Sequence, residues 1–422
     1  MYLQQPYLYA KQDLCMTDYN IDQIRADFPV LAQKVHNKPL VYFDNGATTQ
    51  KPLPVIEVVN KYHRELNSSI HRGVHFLSDQ TTNAYENARK EVRKYINAKE
   101  SHEVIFTSGT TGSINMIAYS FGERYIEAGD EIIVSEMEHH ANIVPWQMMC
   151  ERKQARLRVV PFDDQGTLQM DKFEELLNEK TRLVAVTHIS NTLGTINPIQ
   201  EIIDVAHRYE VPVLIDAAQS IQHTRIDVQE LDADFLVFSG HKAYGPTGIG
   251  VVYGKEKYLD ELPPYQGGGD MVDEVSFEKT TYNVLPFKFE AGTTKYIGAI
   301  GLNAALKYIE SIGIEKIAAH EKEVMEYGTQ KLDELGYIRI FGRSPNKASI
   351  LSFLIDGVHM SDAGMIFDKL GVAVRIGSHC AQPVWQHYGV DGALRASMAM
   401  YNTKEEIDYL CRAIQQVKSM FA

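Results

Sequence analysis

Five short stretches of this 422-residue chain carry side chains whose type and spacing could do chemistry. The first, SGTTGSIN from Ser108 to Asn115, follows the apolar run VIFT and precedes an apolar helical pattern. Small and hydroxyl residues at a strand-to-helix turn leave backbone N–H groups free for an anion, and the helix dipole favours one there. The same residues also serve as an ordinary helix cap. The second, VPVLIDAAQS, puts Asp216 where a buried strand ends. A carboxylate there is costly without a positive partner, so Asp216 either caps the next helix or faces a cationic ligand atom. In the third, FLVFSGHKAYGPTGIG, Lys242 follows a strongly apolar strand, with Ser239, His241 and Gly245 beside it. A lysine held against an apolar core gives up its proton more easily and can react with carbonyls; an isolated one is more often a solvated loop residue. The fourth, VRIGSHCAQP, sets Cys380 in a short polar loop near Arg375 and His379, the positive surroundings in which a thiol becomes a nucleophile. The fifth, MEHHANIVPW, holds paired histidines. Adjacent side chains diverge on a helix or a strand, so His139 and His140 are poor metal co-ligands. One ring lying over a flat cofactor is the better functional reading, and a core or surface histidine is the ordinary one. No metal site is expected.

Four of these stretches put their polar residues at a strand end, and the MEHHAN stretch also follows a predicted strand. Strands are predicted at 103–107, 131–135, 157–161, 183–188, 211–216 and 235–239, with amphipathic helical segments such as 171–178 and 199–209 between them. Nearly continuous apolar strands alternating with helices predict an α/β fold, a parallel sheet covered by helices. In such sheets ligands bind beyond the carboxyl ends of the strands. A phosphate cradle, a buried aspartate and an apolar-flanked lysine at those ends together suit pyridoxal 5′-phosphate, which is held as a lysine Schiff base with an aspartate against its pyridinium nitrogen.

After Gly292 the pattern changes to long helical runs at 297–309 and 314–335, short strands at 338–341 and 349–355, and a terminal helix at 404–420. We expect a large domain over 38–300 and a smaller α/β domain over 301–422 that carries the nucleophile loop. Residues 16–37 are expected to pack with the small domain, and residues 1–15 to form a dispensable or disordered tail. Those first residues lack the basic start, apolar centre and cleavage site of a signal peptide, and no apolar run reaches the ~20 residues of a membrane span. With 42 basic and 55 acidic residues the net charge is −13, which argues against a nucleic-acid partner. The four cysteines, Cys15, Cys150, Cys380 and Cys411, form no Cys-x-x-Cys pair. Unpaired thiols fit a reducing cytosol, so a cytoplasmic location is expected. Cys150 and Cys411 read as packing residues.

The stretches RADFPVL, HRGVH, MEHHANIVPWQ, HISNTLGT, SGHKAYGPTGIG, FEAGT, RIGSHCAQP and RASMAMYNT make the chain resemble a cysteine desulfurase of the SufS type, the second group of the NifS-like family, from about Ile21 to the C-terminus. The resemblance implies the aminotransferase-like fold of pyridoxal-phosphate enzymes (fold type I), a large domain with a mostly parallel seven-stranded sheet plus a smaller C-terminal α/β domain, in a homodimer. It implies conversion of L-cysteine to L-alanine, with the sulfur left as a persulfide on the enzyme and passed to a SufE- or SufU-like acceptor for iron–sulfur cluster assembly. By motif, Lys242 resembles the Schiff-base lysine, Asp216 the partner of the pyridinium nitrogen, Gln219 that of the phenolic oxygen, and His139 the stacking ring. Thr110, Thr111, Ser239 and His241 would hold the phosphate, joined by Thr293 from the other subunit. Asn191 and Arg395 would bind the substrate carboxylate, where a planar guanidinium can grip two oxygens at once. Cys380 would attack the substrate sulfur, and His71 would lie near the site. The family usually has a glutamate where Gly112 stands; backbone donors in that turn do not depend on that side chain. The readings set beside this one are a selenocysteine lyase on the same scaffold, an aminotransferase, which needs no loop cysteine, and a non-catalytic scaffold.

Overall fold

The computed structural model describes residues 19–421; the expectations for residues 1–15, Cys15 included, lie outside that range. The six apolar runs fold as strands β1 (Val104–Thr107), β2 (Glu131–Ser135), β3 (Arg156–Val160), β4 (Thr181–Thr187), β5 (Val213–Asp216) and β6 (Phe235–Ser239). A seventh, β7 (Gly250–Gly254), joins them. Gly248, Gly250 and Gly254 frame its short apolar centre and hide it from a reading based on apolar runs. The sheet order is β1-β7-β6-β5-β4-β2-β3. Strand β7 is antiparallel to both neighbours, and the other adjacent pairs are parallel.

Alternate residues of the central strands feed two apolar clusters, one on each face. Ile133, Val184, Ile215 and Leu236 enter one, and Ile132, Leu183, Leu214 and Val237 the other. Both faces are therefore apolar, and the strands lack the polar alternation of a half-exposed sheet. Helices α1 (Phe76–Tyr95) and α3 (Tyr296–Ile312) contribute to the first cluster, and α2 (Thr110–Tyr125) to the second.

Helix α3 runs across position 300 and is followed at once by α4 (Ile314–Glu334). Beyond it stands an antiparallel sheet of β8 (Ile338–Phe341), β9 (Ile350–Ile355), β10 (Arg375–Gly377) and β11 (Ala393–Ser397), in the order β8-β9-β11-β10. Its own core joins Phe353 and Leu394 to Val324 and Leu332 of α4 and to Ile407, Leu410 and Ile414 of the terminal helix, Lys404–Met420. That helix starts at a capping box, in which Thr403 and Glu406 bond each other's backbone N–H groups. The N-terminal segment is tied to the same region. Tyr19 Oη donates to the Met400 carbonyl at 2.6 Å, Arg25 pairs with Glu406 at 3.0 Å, and Val41–Tyr42 runs parallel to Val372–Ala373. Among the described residues no helix is long and apolar enough to cross a membrane.

Candidate active site

Because β1, β2, β4, β5 and β6 are parallel to one another, their carboxyl ends share one edge of the large sheet. A cavity of about 380 Å³ opens there. Lys242, Asp216, Gln219, His139 and Asn191 reach it from the large sheet, and Arg375, Cys380 and Arg395 reach it from the small one. Thr110, Thr111, Ser239 and His241 line the same space and also the outward extension beside Gly112 and Tyr265. Residues separated by up to 285 positions thus meet because two sheets share one cleft.

The candidate anion cradle is built from β1, β6 and β7. Helix α2 begins at Thr110 without a cap from the side of Gly109, and the N–H groups of Thr111 and Gly112 in its first turn are open to a ligand. Ser239 Oγ accepts from Thr110 N at 2.7 Å and lies 2.8 Å from Thr110 Oγ1. Gly109 has φ 134°, which glycine adopts readily. Gly250 lets it approach: a Cβ there would stand 2.4 Å from Gly109 Cα. At Gly112 a Cβ would stand 2.5 Å from Ser108 Oγ, so that hydroxyl occupies the room a side chain would take.

The turn Gly240–Lys242 is held by a segment that no motif in the sequence marks. Lys51 Nζ, Thr48 Oγ1, Thr49 Oγ1 and Thr49 N all donate to the His241 carbonyl, at 2.9, 3.1, 3.1 and 3.2 Å. Desolvation in the pocket lowers the Lys242 ammonium to about 8, opposed by Asp216, so a neutral amine is accessible near neutral pH. Burial, helped by Lys242 and Lys51, lowers His241 to about 4.

Asp216, at the end of β5, is 4% exposed. Its Oδ1 accepts from Ala218 N at 2.9 Å, and burial raises its pKa against that bond and the Lys242 charge. Gln219 Nε2 donates to the Gly46 carbonyl at 2.7 Å, while its buried Oε1 has no partner. His139 Nδ1 accepts from Ala141 N at 3.0 Å, which places the ring proton on Nε2. Burial first, and then Lys242, lower His139 to about 3, so the ring is neutral. Just before it, the buried Glu138 carboxyl accepts from Ser135 Oγ, Thr187 N and Asn142 Nδ2, tying β2 to β4. Burial raises Glu138 to about 8 despite those bonds.

On the small sheet, Arg375 and Arg395 are direct cross-strand partners. Asp44 sits between the like charges, 3.5 Å from Arg375 and 3.3 Å from Arg395. Arg395 is 2% exposed. Its Nη1 donates to the Asn191 carbonyl at 2.8 Å, and its buried Nε has no partner. Arg395 lines the cavity, and a buried guanidinium at such a wall suits an anionic ligand. Asn191 Nδ2 in turn donates to the His379 carbonyl at 2.8 Å. His379 and the exposed Cys380 have φ 51° and 56°. Two consecutive left-handed non-glycine residues cost of order 1–3 kcal/mol each and persist only where the surroundings hold them. One sequence expectation needs correction. His379 brings no positive charge to Cys380, because burial and the two arginines push it to about 3; Arg375 is the cation of that loop. Cys150 and Cys411 are buried, and burial pushes both thiols up to about 11.

Two predicted residues stay outside this cavity. Thr293 is exposed and lines neither the cavity nor its extension. His71 bonds Glu86 at 3.1 Å and stacks edge-on against Phe287 and Tyr85.

A family model, aminotransferase class-V, matches residues 41–410. The chain belongs to that family. Within it the chain is similar to a cysteine desulfurase of Synechococcus elongatus, 48% identical over 401 residues that cover 95% of this chain and 64% of that protein. A cysteine desulfurase of Shigella sonnei is 47% identical over 400 residues, covering 94% of this chain and 98% of that one. The crystal structure of the Escherichia coli cysteine desulfurase CsdA, in an S-sulfonic acid form, superposes with a TM-score of 0.88 at 38% identity, covering 96% of this chain and all of that one. The chain therefore spans about two thirds of the cyanobacterial relative's length and nearly all of the Shigella one.

Proposed function

We propose that the chain is a pyridoxal-phosphate-dependent cysteine desulfurase that converts L-cysteine to L-alanine and receives the sulfur on Cys380. The observation that carries this is one cavity holding Lys242, Asp216, Arg395 and Cys380 together. An aminotransferase has use for the first three and none for the loop thiol. The residues fit the cofactor. The uncapped start of α2 with Thr110, Thr111, Ser239 and His241 suits its phosphate, the buried Asp216 its protonated ring nitrogen, the unpartnered Gln219 Oε1 its phenolic edge, and neutral His139 its face. When bound, the cofactor supplies a ring that takes up the electron pair released from the substrate α-carbon.

The protein's own groups then divide the work. Arg395 and Asn191, which line the cavity side by side, grip the substrate carboxylate. Lys242, whose amine is neutral in a useful fraction near pH 8, moves the α-proton. Cys380 attacks the substrate sulfur: a sulfur–sulfur bond forms, the carbon–sulfur bond breaks and its electron pair stays with the carbon skeleton, which takes at the β-carbon the equivalent of the proton given up by the Cys380 thiol, regains the α-proton and leaves as alanine. The Cys380 loop is short and pinned, so the persulfide stays near the mouth of the cavity and a SufE- or SufU-like acceptor has to come to it, feeding iron–sulfur assembly. A homodimer completes the site. Val74, Phe76, Phe277 and Val284 are exposed apolar residues. They lie on segments joined by the Arg72–Asp270 pair at 2.7 Å and by Gly292 N to the Gly269 carbonyl at 2.9 Å. Thr293 follows Gly292 directly and, in this reading, serves the neighbouring copy.

The test is product analysis with Cys380→Ala alongside the parent protein. The parent is expected to yield alanine from L-cysteine. The variant is expected to lose that activity and to keep much of the alanine formed from L-selenocysteine, whose carbon–selenium bond breaks more easily. Equal loss on both substrates contradicts the thiol's role, and mercaptopyruvate as the product supports transamination instead.

A further inference from the structure

His140, the second histidine of EHHAN, does not line the cavity, yet it holds the nucleophile loop from two sides. Its backbone N–H donates to the Cys380 carbonyl at 2.7 Å. Its ring Nε2 accepts from the backbone N–H of Gln382 at 3.2 Å, which requires the ring proton to sit on Nδ1. The two bonds straddle Cys380–Ala381–Gln382 and hold the peptide groups on the C-terminal side of the thiol.

Local structure explains why an outside residue is needed. Helix Gln382–Tyr388 begins here with Ala381 at its N-cap, and an alanine has no side-chain acceptor to offer. His140 supplies that acceptor from 242 positions earlier in the chain. On the other side, its own N–H belongs to the first residue of the short helix His140–Asn142, one of the donors such a helix leaves free. The loop also needs holding, since His379 and Cys380 are both left-handed; Ala381 N closes the turn on the Ser378 carbonyl at 2.9 Å from within the loop, and the side-chain anchors, Asn191 to the His379 carbonyl and Trp385 to the Ser378 carbonyl, act before the thiol. His140 acts on the thiol-bearing residue itself and on the helix start two residues later.

We infer that His140 is a positioning residue for Cys380: consecutive histidines divide between the cavity, which His139 lines, and the sulfur-accepting loop, which His140 fixes. The inference rests on the reading of Cys380 as the sulfur acceptor.

The experiment compares His140→Leu and His140→Gln with the parent holoenzyme, with Cys380→Ala as a control. The leucine variant keeps no acceptor, and the glutamine Oε1 can restore it. For each protein, the visible absorbance of the bound cofactor, KM and kcat for L-cysteine, and the alkylation rate of the Cys380 thiol by iodoacetamide are measured. His140→Leu is expected to keep the cofactor absorbance and a KM within about twofold. Its kcat should fall, and its alkylation rate rise, by roughly three- to tenfold, the effect of losing one hydrogen bond. His140→Gln should return both toward the parent. Unchanged kcat and alkylation in His140→Leu, no recovery in His140→Gln, or loss of the cofactor absorbance would each overturn the inference. Full turnover by Cys380→Ala would instead refute the nucleophile reading, while the alkylation rates would still judge the clamp.

Discussion

The Asp216 carboxyl is buried at a strand end, with one backbone donor and a raised pKa, so the protein alone gains little from its charge. A residue kept at a cost to stability is kept for a ligand. Asp216→Asn preserves the shape and the acceptor for Ala218 N. It is therefore expected to melt no lower than the parent while alanine formation falls by at least about a hundredfold, the usual scale for removing one electrostatic group from a reacting site. A melting temperature well below the parent's, or activity near it, would contradict that assignment. Asp216, Lys242 and Cys380 were legible in the sequence because each is a polar group placed where an apolar run or a helical pattern breaks. Asp44, which separates Arg375 from Arg395, was not legible, since a single aspartate in a loop looks like any other until a cross-strand pair of arginines is seen beside it. Glu138 is hidden for a similar reason: its three donors come from the end of the strand before it, the adjacent strand and the following turn.

At the level of elements, six strands could be read from continuous apolar runs, and the edge where their ends gather followed from their being parallel. Strand β7 escaped because its glycines resemble loop punctuation. Their reason is tertiary: Gly250 lies against Gly109 in the anion cradle. Gly250→Ala would drive a Cβ to 2.4 Å from Gly109 Cα, backbone against backbone, with no flexible side chain to yield. The expected result is a folded protein, destabilised by about 1–3 kcal/mol as for other overpacked sites, whose affinity for pyridoxal phosphate falls at least tenfold in an absorbance titration. Parent-like affinity would show that the cradle does not depend on this close approach. The small sheet was half legible: β8 and β9 stand out as apolar, whereas β10 and β11 are short and carry arginines that point to loops until their pairing is known.

Across the whole molecule, burial leaves several imidazoles neutral. His139 and His379 are pushed to about 3, and His188 and His241 to about 4, from an ordinary 6.5. Between pH 6.5 and about 4 the unfolded chain binds protons that the folded chain refuses, so stability must fall as pH falls through that window. Glu86 works lower down. Held at about 2 by His71 and Arg89 against a burial that opposes them, it loses its contribution only below pH 4.5. The melting temperature of the cofactor-free protein is expected to drop steadily from pH 7 to pH 5, and to drop less steeply in His188→Gln. A flat profile would mean that these rings gain protons without unfolding. The act proposed for the molecule is the transfer of one sulfur atom to Cys380, and it is read most directly by mass spectrometry of the Cys380 peptide after a single turnover with L-cysteine in the absence of reductant. One added sulfur on Cys380 is expected for each alanine released; alanine released with Cys380 unmodified would contradict the proposed transfer.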